Sequence, residues 1–307
     1  MQTECGVDRF GFAPFGRTLM FVGKFAASRS HLKEGLALYD PNFHSSLVQY
    51  VGFDPNVNLQ TYLGPVLLCL GFPDQALAMS SAAIAEARRL AHPPSLAGSL
   101  SLGAVLLSLD GNNAVLSEWI DQLFAVAAEQ GFPHLGAQGT IYRGWAMVRN
   151  GDVAAGMSLI RRGSSAFCAT EAQTLVPYHI ALLAGACEIA GQAEEGLTLL
   201  DDALQIVERT GERWLESELY RHKGELVLRQ ANTDAAEELY RKALSIARDQ
   251  EAKLWELRAA ASLARLWRGQ GRRAEAQALL APIYGWFTKG FATPDLKEAK
   301  ALLDELT

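Results

Sequence analysis

Four cysteines in 307 residues, with no C-x-x-C pair among them, are too few and too scattered for a disulfide framework. Cys5, Cys69, Cys168 and Cys187 therefore read as free thiols in a reducing cytoplasm. No run approaches about eighteen uninterrupted apolar residues, and the opening MQTECGVDRFGFAPFG lacks the cationic-then-apolar layout of an export signal, so neither membrane insertion nor secretion is expected. A net charge of −6 argues against bulk binding to nucleic acid or an anionic membrane. Chemistry is missing too: there is no G-x-x-x-x-G-K-[ST] phosphate loop, no G-x-G-x-x-G, no H-E-x-x-H and no G-x-S-x-G elbow. The histidines His92, His134, His179 and His222 drift in phase and form no column, so they read as loop or satisfied surface residues rather than metal ligands. No cofactor and no metal are expected, and the chain does not read as an enzyme.

What the chain does have is a period. Gly71, Gly111, Gly151, Gly191, Ala231 and Gly271 stand forty residues apart, and Gly23 joins them once an eight-residue insertion before Gly71 is allowed. A second series, Ala91, Gly131, Glu171, Gly211 and Glu251, falls halfway between, so each unit holds two breakpoints and two helices. Seven residues before each break of the first series the residue is small: Gly16, Gly64, Ala104, Gly144, Ala184, Gly224 and Ala264. Four before it, the residue is large and apolar: Leu19, Leu67, Leu107, Met147, Cys187, Val227 and Trp267. A small residue lets two helices approach closely, and the apolar one beside it fills the contact. Residues 1–10 read as an irregular lead-in, 11–307 as a single superhelical domain, Tyr39 to Asn58 as the segment carrying the insertion, and 294–306 as a capping helix with Thr293 as N-cap and Pro294 at its first position. Pro65 and Pro282 fall inside helical patterns and predict kinks.

These offsets resemble the tetratricopeptide (TPR) pattern, with a period about six residues longer than its standard. The resemblance implies an all-α fold: a right-handed TPR-like α-solenoid of about seven helix-turn-helix repeats plus the C-terminal capping helix. In such stacks the first helix of each unit lines a concave groove. The corresponding positions here include Ile141, Trp145 and Val148, then Tyr178, Ala181 and Glu188, then Glu218, Arg221, Glu225 and Arg229, then Arg258, Arg265 and Arg268, while early units offer Thr61, Leu68, Ser101 and Val105. Trp145, Tyr178, Arg221, Glu225, Arg229, Arg258, Arg265 and Arg268 are the candidate partner-binding residues. Arginine captures carboxylates bidentately and an aromatic ring anchors a side chain, so the combination suits an extended acidic and apolar protein or peptide segment. The bland reading is that these arginines solvate a helix face, paired with Glu218, Glu225 and Glu256.

The strings HLKEGLALYDP, AAEQGFPHLGAQGTIYRGWAM, ERTGERWLESELYRHKGELVL and LRAAASLARLWRGQGRRAEAQALLAPIYGWFTKGFATPDLKEAKALLDEL carry a further resemblance. They look like the carboxy-terminal region of bacterial proteins that join a class III adenylate/guanylate cyclase domain, a STAND-type AAA ATPase and a TPR-like array. That resemblance implies a non-catalytic sensor or protein-interaction module. The chain departs from the family in lacking the phosphate loop and the cyclase's metal-binding aspartates. Two other readings stand beside it: the sensor array of a STAND-type transcriptional activator, which requires a helix-turn-helix unit not found here, and an enzyme with its site in the groove near Arg221, Glu225 and Arg265.

Overall fold

The computed structural model describes residues 12–40, 48 and 52–307; the lead-in and most of the insertion lie outside the described residues. Among the described residues there are fifteen α-helices and no strand. Fourteen of them pair into seven hairpins: α1 (Phe12–Phe21) with α2 (Phe25–Ala37), α3 (Pro55–Cys69) with α4 (Pro73–Arg89), α5 (Pro93–Asp110) with α6 (Asn113–Gln130), and α7 (Pro133–Arg149) with α8 (Val153–Cys168). There follow α9 (Val176–Ala190) with α10 (Ala193–Thr210), α11 (Glu216–Arg229) with α12 (Thr233–Asp249), and α13 (Lys253–Gly269) with α14 (Arg273–Gly285). The fifteenth, α15 (Pro294–Leu306), caps the stack and buries Leu296, Ala299, Leu302 and Leu306 on one side. The fold is an all-α, TPR-like solenoid.

Every breakpoint read from the period has a positive φ, from Gly23 at 78° and Gly71 at 87° to Gly271 at 80°, with Ala91, Ala231, Glu171 and Glu251 joining the glycines. That left-handed residue ends one helix and aims the next back along it. Helix starts are equally legible, since Pro55, Pro73, Pro93, Pro133 and Pro294 each open a helix, where a missing N–H costs nothing. Two local expectations need correction. Thr293 stands at the N-cap of α15, but its hydroxyl donates to Gly290 O (2.8 Å) and caps no amide of the helix. His179 is no surface residue: it is 2% exposed on α9, packed edge-on to Phe167 at 4.8 Å between ring centroids, and burial pushes its pKa down to about 3. Helices α3 and α14 run through Pro65 and Pro282.

The small column is where paired helices meet. A Cβ placed on Gly144 would lie 2.6 Å from Gly156 O, one on Gly224 would lie 2.6 Å from the Tyr240 ring, and Ser28 Oγ donates to Gly16 O (2.7 Å) across the first hairpin.

Successive turns of the superhelix also touch. Trp214 N, just ahead of α11, donates to Phe21 O at the end of α1 (3.1 Å), so the first unit meets the sixth. Gly71 and Phe72 of the second unit pack on Lys253, Trp286 and Phe287 of the seventh, with Phe72 and Trp286 centroids 5.6 Å apart. Gly111 of the third unit meets Pro294 at the start of the cap. One superhelical turn thus closes after five units. Helices α5 and α9 are apolar nearly all round whereas α10 and α12 bury a single stripe, because each of these first helices packs on its own partner, on the preceding second helix and on the first helices to either side. A closed turn converts an open groove into a channel with two mouths.

Candidate functional site

Across the channel runs a buried aromatic layer. Tyr178, 1% exposed, lies 5.7 Å from Trp214 and 6.2 Å from Tyr142 between centroids. Its hydroxyl hydrogen-bonds Ser108 Oγ, which itself donates to Val105 O (2.7 Å). Burial raises the pKa of Tyr178, so the phenol stays protonated.

On one side of this layer opens a cavity of about 290 Å³, lined by residues from α5, α7, α9, α11, α13 and α15. Its wall is a chain of charges. Glu188 takes His222 Nδ1 at 3.2 Å and Arg229 Nη2 at 3.4 Å. Arg221 Nη2 lies 3.1 Å from His222 Nε2 on the other side of the ring. Arg221 Nε donates to Glu218 Oε1 (2.8 Å), and Arg258 Nη1 donates to Glu218 Oε2 (3.1 Å). Arg258 then closes a two-pronged pair with Asp295 at 2.7 and 2.9 Å and donates to Leu109 O (2.5 Å) across the superhelical seam.

Burial opposes charge on Glu218, yet Arg221 and Arg258 outweigh it and hold the carboxyl at about 2. Glu188, likewise opposed by burial, is brought to about 2 by the hydrogen bond and charge of His222 with Arg221 and Arg229. Burial disfavours the charged guanidiniums as well, but the carboxylates raise the pKa values of Arg221 and Arg258. Glu188, Glu218, Arg221 and Arg258 are therefore ionised and paired with one another through this network.

Of the residues read from sequence, Trp145, Tyr178, Arg221, Arg258 and Arg265 line this cavity; Glu225, Arg229 and Arg268 do not. Glu225 accepts from Ser262 Oγ (2.6 Å) and pairs with Arg221 (3.5 Å); Arg229 is half exposed against Glu188; Arg268 pairs with Glu305 on the outer side of α15. Trp145 is 9% exposed and its indole N–H has no partner among the described residues, whereas Tyr178 forms floor rather than an open anchor. Thr61 and Ser101 line a second cavity beyond the aromatic layer, and Ile141 and Val148 sit in the core.

Sequence reasoning missed Asp295 and Glu298, which α15 brings to Arg258 and Arg265, and no periodicity announces them because the cap stands outside the repeat. It also missed Glu212, for which a signal existed: in the forty-residue frame Glu212 stands where His92, Phe132, Ala172 and Ala252 stand, the one carboxylate in its column. With Asp110, Glu188, Glu218, Asp295 and Glu298 set against Arg149, Arg221, Arg258 and Arg265, the first cavity carries five carboxylates and four guanidiniums. Among the described residues no cluster of three metal-ligating side chains occurs, and no helix is long and apolar enough to cross a membrane. Cys69, Cys168 and Cys187 are free thiols.

The tetratricopeptide repeat family matches residues 173–249, the stretch from the lead of α9 to the end of α12. An uncharacterized protein of Rhizobium meliloti (strain 1021) is 27% identical over 247 residues, covering 80% of this chain; the chain spans 24% of that relative's length. Among solved structures, a Rap protein complexed with Competence and Sporulation Factor is similar over 98% of this chain and 80% of its own, at TM-score 0.62 and 12% identity. The apo form of RapI is similar over 97% and 99%, at TM-score 0.55 and 10% identity, and a tetratricopeptide repeat protein from Parabacteroides merdae over 98% and 99%, at 0.50 and 13%. At these identities the likeness is one of fold.

Proposed function

We propose that this TPR-like solenoid is a non-catalytic interaction and sensor module whose first cavity receives an extended protein or peptide segment. The observation that carries the reading is a cavity walled by first helices from several units, with the Trp145 indole N–H left without a partner among the described residues. The matched charges refine what such a segment brings. Arg221 and Arg258 are committed to buried carboxylates and have nothing to spare, and removing either partner would strand a buried charge. Arg149 is exposed and makes no ion pair among the described residues, and Arg265 holds Glu298 only through a pair that is 41% and 65% exposed. Exposed pairs contribute at most about 1 kcal/mol and exchange readily, so an acidic group on the incoming segment is addressed by the rim arginines while its apolar part rests on Trp145.

Such a module regulates by occupancy, reporting to whatever domain it is attached to. The resemblance to cyclase and STAND ATPase proteins supplies a signalling context, and the much greater length of the Rhizobium meliloti relative supports attachment to further domains. The complex of the Rap protein with Competence and Sporulation Factor supports ligand capture by a solenoid of this shape.

The test is selection of binders from a random peptide library on the purified chain, followed by titration against Trp145→Ala and the double reversal of Arg149 and Arg265 to glutamate. Selected peptides should lose about tenfold or more in affinity for each variant and weaken with salt. Peptides that bind all three proteins equally and ignore ionic strength would place the binding surface elsewhere.

A further inference from the structure

Beyond the aromatic layer the other mouth of the channel holds a larger cavity, about 570 Å³, with a different chemistry. Among apolar side chains its wall carries a set of uncharged hydrogen-bonding groups: Thr61 Oγ1 meets Ser99 Oγ at 2.8 Å, and Ser101 Oγ donates to Gln138 Oε1 at 2.8 Å. Set into that wall is one carboxylate, Glu212, on the loop between α10 and α11 and 8% exposed. Its Oε1 accepts from Leu175 N and Trp214 Nε1, each at 3.1 Å, while Oε2 takes only the longer branch from Leu175 N at 3.2 Å.

No cation answers Glu212 among the described residues. Arg213 is held by Glu208 at 2.8 Å and Glu216 at 3.0 Å. Arg17, at the rim on α1, lies over the Tyr62 ring at 5.9 Å, and His134 on α7 is depressed by burial, which keeps it neutral. The contrast with the first cavity is plain: there Glu188, Glu218 and Asp295 each have a guanidinium, and here the buried carboxylate has, among the described residues, two neutral N–H donors. Burial accordingly raises Glu212 to about 7, against the pull of its hydrogen bonds to Trp214 and Leu175. A buried carboxylate with no countercharge is costly, and the cost is relieved by a ligand that supplies the charge.

We propose that this second cavity binds the cationic side chain of a short polar peptide segment, its guanidinium or ammonium pairing with Glu212 while the Thr61, Ser99 and Gln138 groups receive the peptide's amides. The volume suits a ligand of a few residues. This site is separate from the one proposed above, on the opposite side of the Tyr178 and Trp214 layer, and does not rest on it.

The test is calorimetric titration of the full chain with Ac-Ser-Arg-Ser-NH2 and with its citrulline isostere, which keeps shape and hydrogen bonding but drops the charge. The arginyl peptide should bind at least about tenfold more tightly. At pH 7 its binding should release about half a proton, read from the dependence of the heat on the buffer's ionisation enthalpy. Glu212→Gln should erase the preference, and Asn58→Trp, which fills the mouth from a half-buried position whose side chain makes no hydrogen bond among the described residues, should abolish binding while leaving the thermal midpoint unchanged. Trp145→Ala should leave this binding intact. Equal affinity for the two peptides, no saturable binding of the arginyl peptide, or a preference that survives in Glu212→Gln would overturn the proposal. Should Glu212→Gln fail to fold, proton release and the Asn58→Trp variant decide.

Discussion

Replacing Gly144 by alanine tests the packing logic at its tightest point. Alanine is the better helix former by about 1 kcal/mol, so at an unconstrained helix position the change stabilises. Gly136, on the same helix α7, is such a position, because a Cβ there would find Ala127 Cβ at an ordinary 3.9 Å. At Gly144 the added carbon would stand 2.6 Å from Gly156 O and 2.8 Å from Ile160 N. Those atoms are backbone of α8 and cannot rotate away. Reaching an ordinary contact of 3.4 Å requires the helices to part by roughly 0.8 Å (3.4 − 2.6) at that level. The neighbouring approach leaves no slack, since a Cβ on Gly163 would lie 2.9 Å from Ile141 N. Overpacking of this kind costs about 1–3 kcal/mol. Net of the propensity gain, Gly144→Ala should range from neutral to destabilising by about 2 kcal/mol, whereas Gly136→Ala should stabilise by about 0.5–1. Urea unfolding followed by circular dichroism gives the ranking, and amide hydrogen exchange localises the loss to α7 and α8, a needed check because repeat arrays can unfold in parts. A Gly144→Ala protein as stable as Gly136→Ala would show that the small column is not a backbone contact.

At Gly191, with φ of 74° and no atom within 4 Å of a Cβ, alanine meets no clash but must hold a left-handed conformation; Gly191→Ala should cost about 1–2 kcal/mol, and Ala231→Gly, at φ of 62° in the same column, should gain up to about 1, both by urea unfolding. Glu212 is raised to about 7, so its neutral form is buried at a stability advantage that is whole below its unfolded value near 4.5 and is lost as pH rises through 7. The stability of Glu212→Gln relative to the parent should therefore rise between pH 5 and 7 with a slope approaching about 1.4 kcal/mol per pH unit, and a flat difference would contradict the assignment. Glu188 and Glu218, held at about 2, act in the opposite window: the stability they contribute is complete above about 4.5 and should disappear as pH falls toward 2, detected as salt-sensitive acid unfolding. Purified chain incubated with ATP and magnesium should form neither ADP nor cyclic nucleotide, because the sequence supplies no phosphate loop.

The forty-residue period by itself determined the element list: all twelve breakpoints from Gly23 to Gly271 take positive φ, and the small column from Gly16 to Ala264 lies at the helix contacts. Both are properties of the local chain, since only certain residues tolerate a left-handed turn and only small ones allow two helices to touch, and so they leave a mark at fixed spacing. The groove was legible only in part, since Glu225, Arg229 and Arg268 do not line the cavity. Trp145, Arg221, Arg258 and Arg265 were placed on one lining because their phase within the unit fixes which way a first helix points them. Tertiary structure alone decided the rest. How far each unit rotates on the last is a sum of small packing angles that no single residue encodes, and that sum closes the turn after five units, bringing Phe21 to Trp214 and Leu109 to Arg258. Closure turned an open groove into two chambers, supplied Asp295 from outside the repeat to neutralise Arg258, and sealed Tyr178 into a floor. It also left Glu212 buried without a countercharge among the described residues, because a charge's environment is set by every element folded around it.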